Sequence, residues 1–158
     1  MKSAAVPIHV RFIATLALVA SASVSADAAQ PTSTNDDILG TWRITRMLDA
    51  SNVAALDHQE ASRLVGKFFI VAPDKVSLDG ESCDAPEFAR HYEDTVRYLR
   101  EEAHASSWKL GLPLTVTVID LSCTEALIKA HDNIVVLWKG VFFDAIRHAS
   151  NAPDQTRR

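Results

Sequence analysis

The chain has 158 residues, a formal net charge of −4 and nearly half its residues hydrophobic, enough to bury one core. The 16 basic residues are outnumbered by 20 acidic ones and form no basic run. That balance gives no electrostatic footprint for nucleic acid or anionic lipid.

Lys2 and Arg11 precede the short apolar run Phe12–Ala20, and small residues follow, with "VSA" ending at Ala26 and "ADA" at Ala28. This is the layout of a secretory signal peptide, cleaved after Ala26 or Ala28. The run is too short to span a bilayer, which needs roughly 20 apolar residues. An uncleaved anchor is the competing reading. Cleavage at Ala26 removes two basic residues and no acidic one, leaving 14 against 20 and a mature charge of −6. The expected mature product is periplasmic or secreted and is not inserted in a membrane.

Residues 27–36 read as a polar linker, with Asp36 and Asp37 placed to cap a single helical turn. "TWRITRM" then alternates, with Trp42, Ile44 and Arg46 on one side of a strand and Arg43 and Thr45 on the other. Gly40 stands two places before Trp42, where it lets the chain turn tightly beneath the indole. The predicted helix Asp57–Gly66 has capping-box spacing between Asp57 and Glu60. Strands follow at 67–73 and 75–80, joined through Pro73-Asp74, with Asp79-Gly80 as the next turn signal.

Asp84, Pro86 and Glu87 resemble a helix start, and Phe88, Tyr92, Val96, Leu99 and Ala103 recur at helical spacing. A helix is therefore expected at about 86–104. "LTVTVIDLSC" (114–123) alternates as a strand, and "NIVVLW" with "VFFDAIR" flank Lys139-Gly140 as a closing hairpin. The expected class is α+β, mostly antiparallel β, as a single domain at 37–149 followed by a polar tail at 150–158.

Cys83 and Cys123 are the two cysteines, and in an exported chain an even number reads first as a disulfide. Buried thiols or a metal pair are the alternatives; neither cysteine has a zinc-type spacing. No cofactor or metal is expected. Glu87, His91 and Asp94 would share one helix face, read either as a solvated face or as an acid/base set. His131-Asp132 falls at a turn and His58 in the first turn of the short helix. Chemistry needs a nucleophile, a base and an orienting group, and no such set is visible. Trp108, Trp138, Phe142 and Phe143 are the candidates for a ligand or partner surface. Phe142 and Phe143 are adjacent in a strand, so one must face away from the interior, towards a helix or a partner.

Gly40-x-Trp42 together with Arg147 resembles the lipocalin and wider calycin superfamily. That resemblance implies a small barrel of 6–8 strands in which the guanidinium covers the indole and plugs one end. The order of Gly66-Lys67, Cys83-Asp84-Ala85-Pro86, Asp120–Cys123 and "WKGVFF" is also similar to that in small exported bacterial proteins of uncharacterised family. The role implied for Gly40, Trp42 and Arg147 is structural. The expected function is non-enzymatic binding of a small apolar ligand or an envelope protein. Rival readings are an inhibitor or immunity protein that blocks an envelope-targeting hydrolase, and a cryptic enzyme.

Overall fold

The computed structural model describes residues 35–149. The expected signal peptide, most of the expected linker and the expected polar tail lie outside the described residues. The linker's last residues, Asn35 and Asp36, belong to a turn that continues to Ile38.

The elements run β1 (Gly40–Ala50), α1 (His58–Arg63), β2 (Phe68–Ala72), β3 (Lys75–Leu78), β4 (Glu81–Asp84) and β5 (Ala89–Asp94). Then come α2 (Thr95–Glu101), a 3-10 turn (Ser107–Lys109), β6 (Thr115–Asp120), β7 (Glu125–Ala130), β8 (Asn133–Trp138) and β9 (Val141–Arg147). Strands hold 48% of the described residues, so the protein is mostly β. They form one curled antiparallel sheet of nine strands in the order β4-β3-β2-β1-β9-β8-β7-β6-β5. Sequence neighbours pair all along this order, except that β9 returns to β1 and no ladder joins β4 to β5.

The turn chemistry explains the meander. Asp79-Gly80 and Lys139-Gly140 both hold two consecutive positive φ values, the conformation that matches the twist of a two-residue hairpin. At Gly140 any side chain is also excluded sterically, because a Cβ would lie 2.6 Å from the Ala54 Cα. The α1 capping box is present as its spacing requires, with Glu60 N–H donating to Asp57 and Asp57 N–H to Glu60.

Two apolar layers use the two faces of the sheet. The inner layer holds Trp42, Ile44, Phe69, Val76, Ile119, Val136, Trp138 and Phe143, drawn from β1–β3 and from β6–β9. One cluster spanning both ends of the strand order requires the sheet to curl on itself. The outer layer is made where Leu99 and Ala103 pack over Val116, Val118, Leu127, Val135 and Phe142. Phe142 and Phe143 therefore do face opposite ways, and a helix covers the outward one. Register shifts in β1 after Ile44 and after Met47 turn the strand over, so Met47 meets the inner layer and Leu48 the outer one. Arg46 consequently leaves the Trp42 face expected for it and pairs with Asp144 at 3.4 Å.

The expected helix at 86–104 is a strand followed by a short helix. Ala89–Asp94 pairs residue by residue with Thr115–Asp120. Asp94, not Asp84, is the helix cap, accepting from Arg97 N–H at 2.9 Å. Asp84 ends β4 instead. The apolar stripe is divided accordingly: Leu99 and Ala103 are buried, whereas Tyr92 and Val96 are exposed. Local helical spacing is outweighed here by a ladder to a strand more than twenty residues away.

Candidate functional site: the cleft beside Trp108

Trp42 and Arg147 are direct cross-strand partners in the β1–β9 ladder, and the guanidinium carbon sits 4.1 Å from the indole centroid. Its nitrogens donate to Leu39 O at 2.9 Å, to Asp37 O, and to Asp132 Oδ1 at 3.1 Å. The indole N–H donates to Ile38 O at 2.8 Å. One cation therefore joins the incoming turn, the last strand and the β7–β8 turn over a buried aromatic face.

Cys83 and Cys123 form a disulfide between β4 and the turn after β6. It crosses the gap that no ladder closes. Beside it Glu87 N–H donates to Ser122 Oγ at 3.1 Å, and Arg90, near the start of β5, reaches Asn35 and Asp37 of the incoming turn. The open seam of the sheet is thus tied near the start of β5 by the disulfide and by side-chain contacts. The disulfide fits an exported protein, and no helix among the described residues is long and apolar enough to cross a membrane.

The curl encloses side chains. Trp138, expected on a ligand or partner surface, is buried in the inner layer, edge-on to Phe69 at 6.3 Å. Phe142 and Phe143 are fully buried as well. Of the four aromatic candidates only Trp108 is open to solvent, at 78% exposure. It lies in the 3-10 turn after α2, beside a cleft of about 480 Å³ lined by Asp49, Asn52, Arg100, His104, Ser106 and Lys109, among others.

Both walls of this cleft follow from the fold. The β1 bulges carry Asp49 outwards, and Asn52 N–H donates to His104 O at 3.4 Å, closing the floor. His104 holds a φ of 50°, turning the chain back after α2 so that Ala105 N–H donates to Leu99 O at 2.8 Å. Lys109 Nζ lies 2.8 Å from Asp49 Oδ1 and 5.6 Å from the Trp108 ring centroid. Arg100 holds Glu101 at 2.9 Å and is largely exposed.

Glu101 turns into a second cleft of about 390 Å³, with His91, Glu93, Arg97, Tyr98 and Glu102. There Tyr98 Oη donates to Glu125 Oε2. Burial first, then the neighbouring carboxylates, pushes the phenol far above its ordinary value. His91 and Asp94 do not share a helix face with Glu87, since His91 is in β5 and Asp94 caps α2. His131 Nδ1 is 2.9 Å from Asp132 Oδ1, on an exposed turn. His58 is exposed at the start of α1. Among the described residues no group of three or more His, Cys, Asp or Glu is placed to hold a metal.

Arg100, His104 and Lys109 were not separable from an ordinary helix surface by sequence alone. Their signal is a basic cluster around an exposed tryptophan in an acidic chain. No protein family, curated protein or solved structure matches this sequence.

Proposed function

We propose that this chain is an exported, non-enzymatic binding protein of lipocalin-like architecture that engages a protein partner on the outside of its sheet. The Trp42–Arg147 stack and the up-and-down strand order support the lipocalin-like reading. The observation that carries the location is the contrast among four aromatics: Trp138, Phe142 and Phe143 are consumed by packing, while Trp108 stands exposed beside a polar cleft. A large exposed aromatic on a polar rim is the kind of anchor on which interfaces concentrate their energy. Binding of a small apolar molecule within the curl is disfavoured, because Trp42, Phe69, Trp138 and Phe143 already occupy that space.

The test is a photo-crosslinking residue at position 106, in the cleft wall and leaving Trp108 intact, activated in cells that export the protein. The expected result is one adduct of defined stoichiometry, whose native complex is lost on Trp108→Ala. Crosslinks spread over many abundant proteins, or none, would overturn the reading. Native mass spectrometry showing a retained small molecule would favour a carrier instead.

The inhibitor reading draws on a separate observation. Glu93, Glu101 and Glu102 line the second cleft, and Asp120 and Glu125 lie close enough to Tyr98 to raise its pKa. This acidic face suits a cationic hydrolase, and the complex would weaken steeply with salt.

A further inference from the structure

We infer that the cleft beside Trp108 binds an oxyanion, a carboxylate or phosphate-type group, carried on an aromatic or apolar body. The inference rests on the same surface as the partner reading and specifies its chemistry.

Charge singles out this cleft. The second cleft sets Glu93, Glu101 and Glu102 against Arg97 and His91, and a third, near Cys123, sets Asp120 and Glu125 against Lys139. A further one beside α1 sets Glu60, Asp79 and Glu81 against Arg63 and Lys139. The cleft beside Trp108 reverses the balance in its lining, with Arg100 and Lys109 against Asp49 and the His104 ring beside them. In a chain of net charge −4 that excess is local and works against the field of the whole molecule.

Donors and geometry agree with the charge. Asn52 and Ser106 add neutral hydrogen-bonding groups to the wall. Arg100 spends Nη2 on Glu101, in a pair exposed enough to exchange cheaply for a planar oxyanion. Carbonyls at the end of α2 would repel an anion, but those of Tyr98 and Leu99 already accept from Glu102, Ala103 and Ala105. The Trp108 face, with Lys109 beside it, offers a stacking surface next to the charges. A bare ion would use only half of this arrangement; an aromatic acid would use both halves.

The experiment follows the three indole N–H signals of the full chain by NMR, with the Trp108 signal assigned through Trp108→Phe. Phenyl phosphate and benzoate should shift the Trp108 signal saturably and leave those of buried Trp42 and Trp138 in place. Inorganic phosphate should bind more weakly, and benzyl alcohol, which lacks the charge, at least about tenfold more weakly. The double variant R100Q/K109Q should lose about tenfold in affinity, whereas Lys75→Gln, on a distant strand, should match the parent.

A short acidic peptide carrying one phenylalanine separates the sources. If it binds tighter than benzoate, the oxyanion is a protein side chain; if weaker, a free small acid. Non-saturating shifts, equal affinity for benzyl alcohol, or unchanged affinity in R100Q/K109Q would overturn the inference. Anion binding without any crosslinked partner would sink the partner reading alone, and the converse would sink only this one.

Discussion

A Cβ placed on Gly40 would stand 3.1 Å from the Arg147 Nη1, in a residue whose φ of +126° few side chains adopt. Glycine at this position therefore does two jobs: it bends the chain into β1 and leaves room for the guanidinium above Trp42. Gly40→Ala should cost about 1–3 kcal/mol, from the strained backbone and the displaced arginine. Urea unfolding measures it, and a midpoint equal to the parent's would show that the arginine is not held there.

Arg147→Lys keeps a charge but loses the planar fork that reaches Leu39, Asp37 and Asp132 together. The expected loss is roughly 2 kcal/mol, from cation–π contact and charge-assisted hydrogen bonds. Asp132 adds a pH signature. Its carboxyl is held below the ordinary range, first by the His131 hydrogen bond and then by Arg147. A depressed folded-state pKa gives stability that is present above the ordinary carboxylate range and lost as pH falls through the folded value. Asp132→Asn should therefore lower stability at neutral pH, leave it nearly unchanged in strong acid, and so flatten the acid limb of the stability curve. An unaltered acid limb would remove Asp132 from this account.

Reducing the Cys83–Cys123 bond should release a seam that no backbone ladder closes. The loop spans 40 residues, and chain entropy puts the loss at roughly 4 kcal/mol. Denaturation with and without reductant, checked against Cys83→Ala/Cys123→Ala, gives the value. Coincident curves would mean that the hydrogen bonds across the seam suffice by themselves.

Tyr98 is held neutral by burial and by Glu125 beside it. Because its folded pKa is raised, the contribution is complete below the ordinary phenol value of 10.0 and is lost as pH climbs above it. Tyrosinate absorbance should therefore leave one of the chain's two tyrosines unionised until the fold is lost. Tyr98→Phe should abolish that withheld step. Complete ionisation in the folded protein would contradict the buried contact.

Phe142→Ala and Phe143→Ala should each cost about 3–5 kcal/mol, since both side chains are fully buried. Their consequences should differ. The first uncovers the outer layer beneath α2 and should raise hydrogen exchange in 95–101; the second hollows the inner layer. Identical exchange patterns would show that the two layers do not behave separately.

Much of this organisation could be read locally. The Asp57–Glu60 cap, the Asp79-Gly80 and Lys139-Gly140 turns and the alternation around Trp42 and Thr115 are short-range signals, and each stands where its chemistry puts it. Three strands gave no such signal. Glu125–Ala130 is "EALIKA", made largely of good helix formers, and becomes a strand because β6 and β8 flank it. Ala89–Asp94 holds Tyr92 of the apparent helical stripe that runs from Phe88 to Ala103, and its pairing with β6 decides the matter. Glu81–Asp84 is polar and short, as an exposed sheet edge tends to be. The cleft was less legible still. Asp49 enters it through bulges that one-residue spacing does not reveal, and Arg100 and Lys109 converge only because His104 reverses the chain.

The strand order has a topological corollary. Walking β1 to β4 and then β5 to β9 circles the sheet once, with β1 beside β9 and a four-residue step from Asp84 to Ala89 across the seam. The meander thus has no privileged beginning. Joining β9 to β1 through a short linker and opening the backbone at 85–88 would relocate both ends without exchanging any strand's neighbours. Such a circular permutant would turn the cysteine bridge from a clasp inside the chain into a staple near one of its new ends.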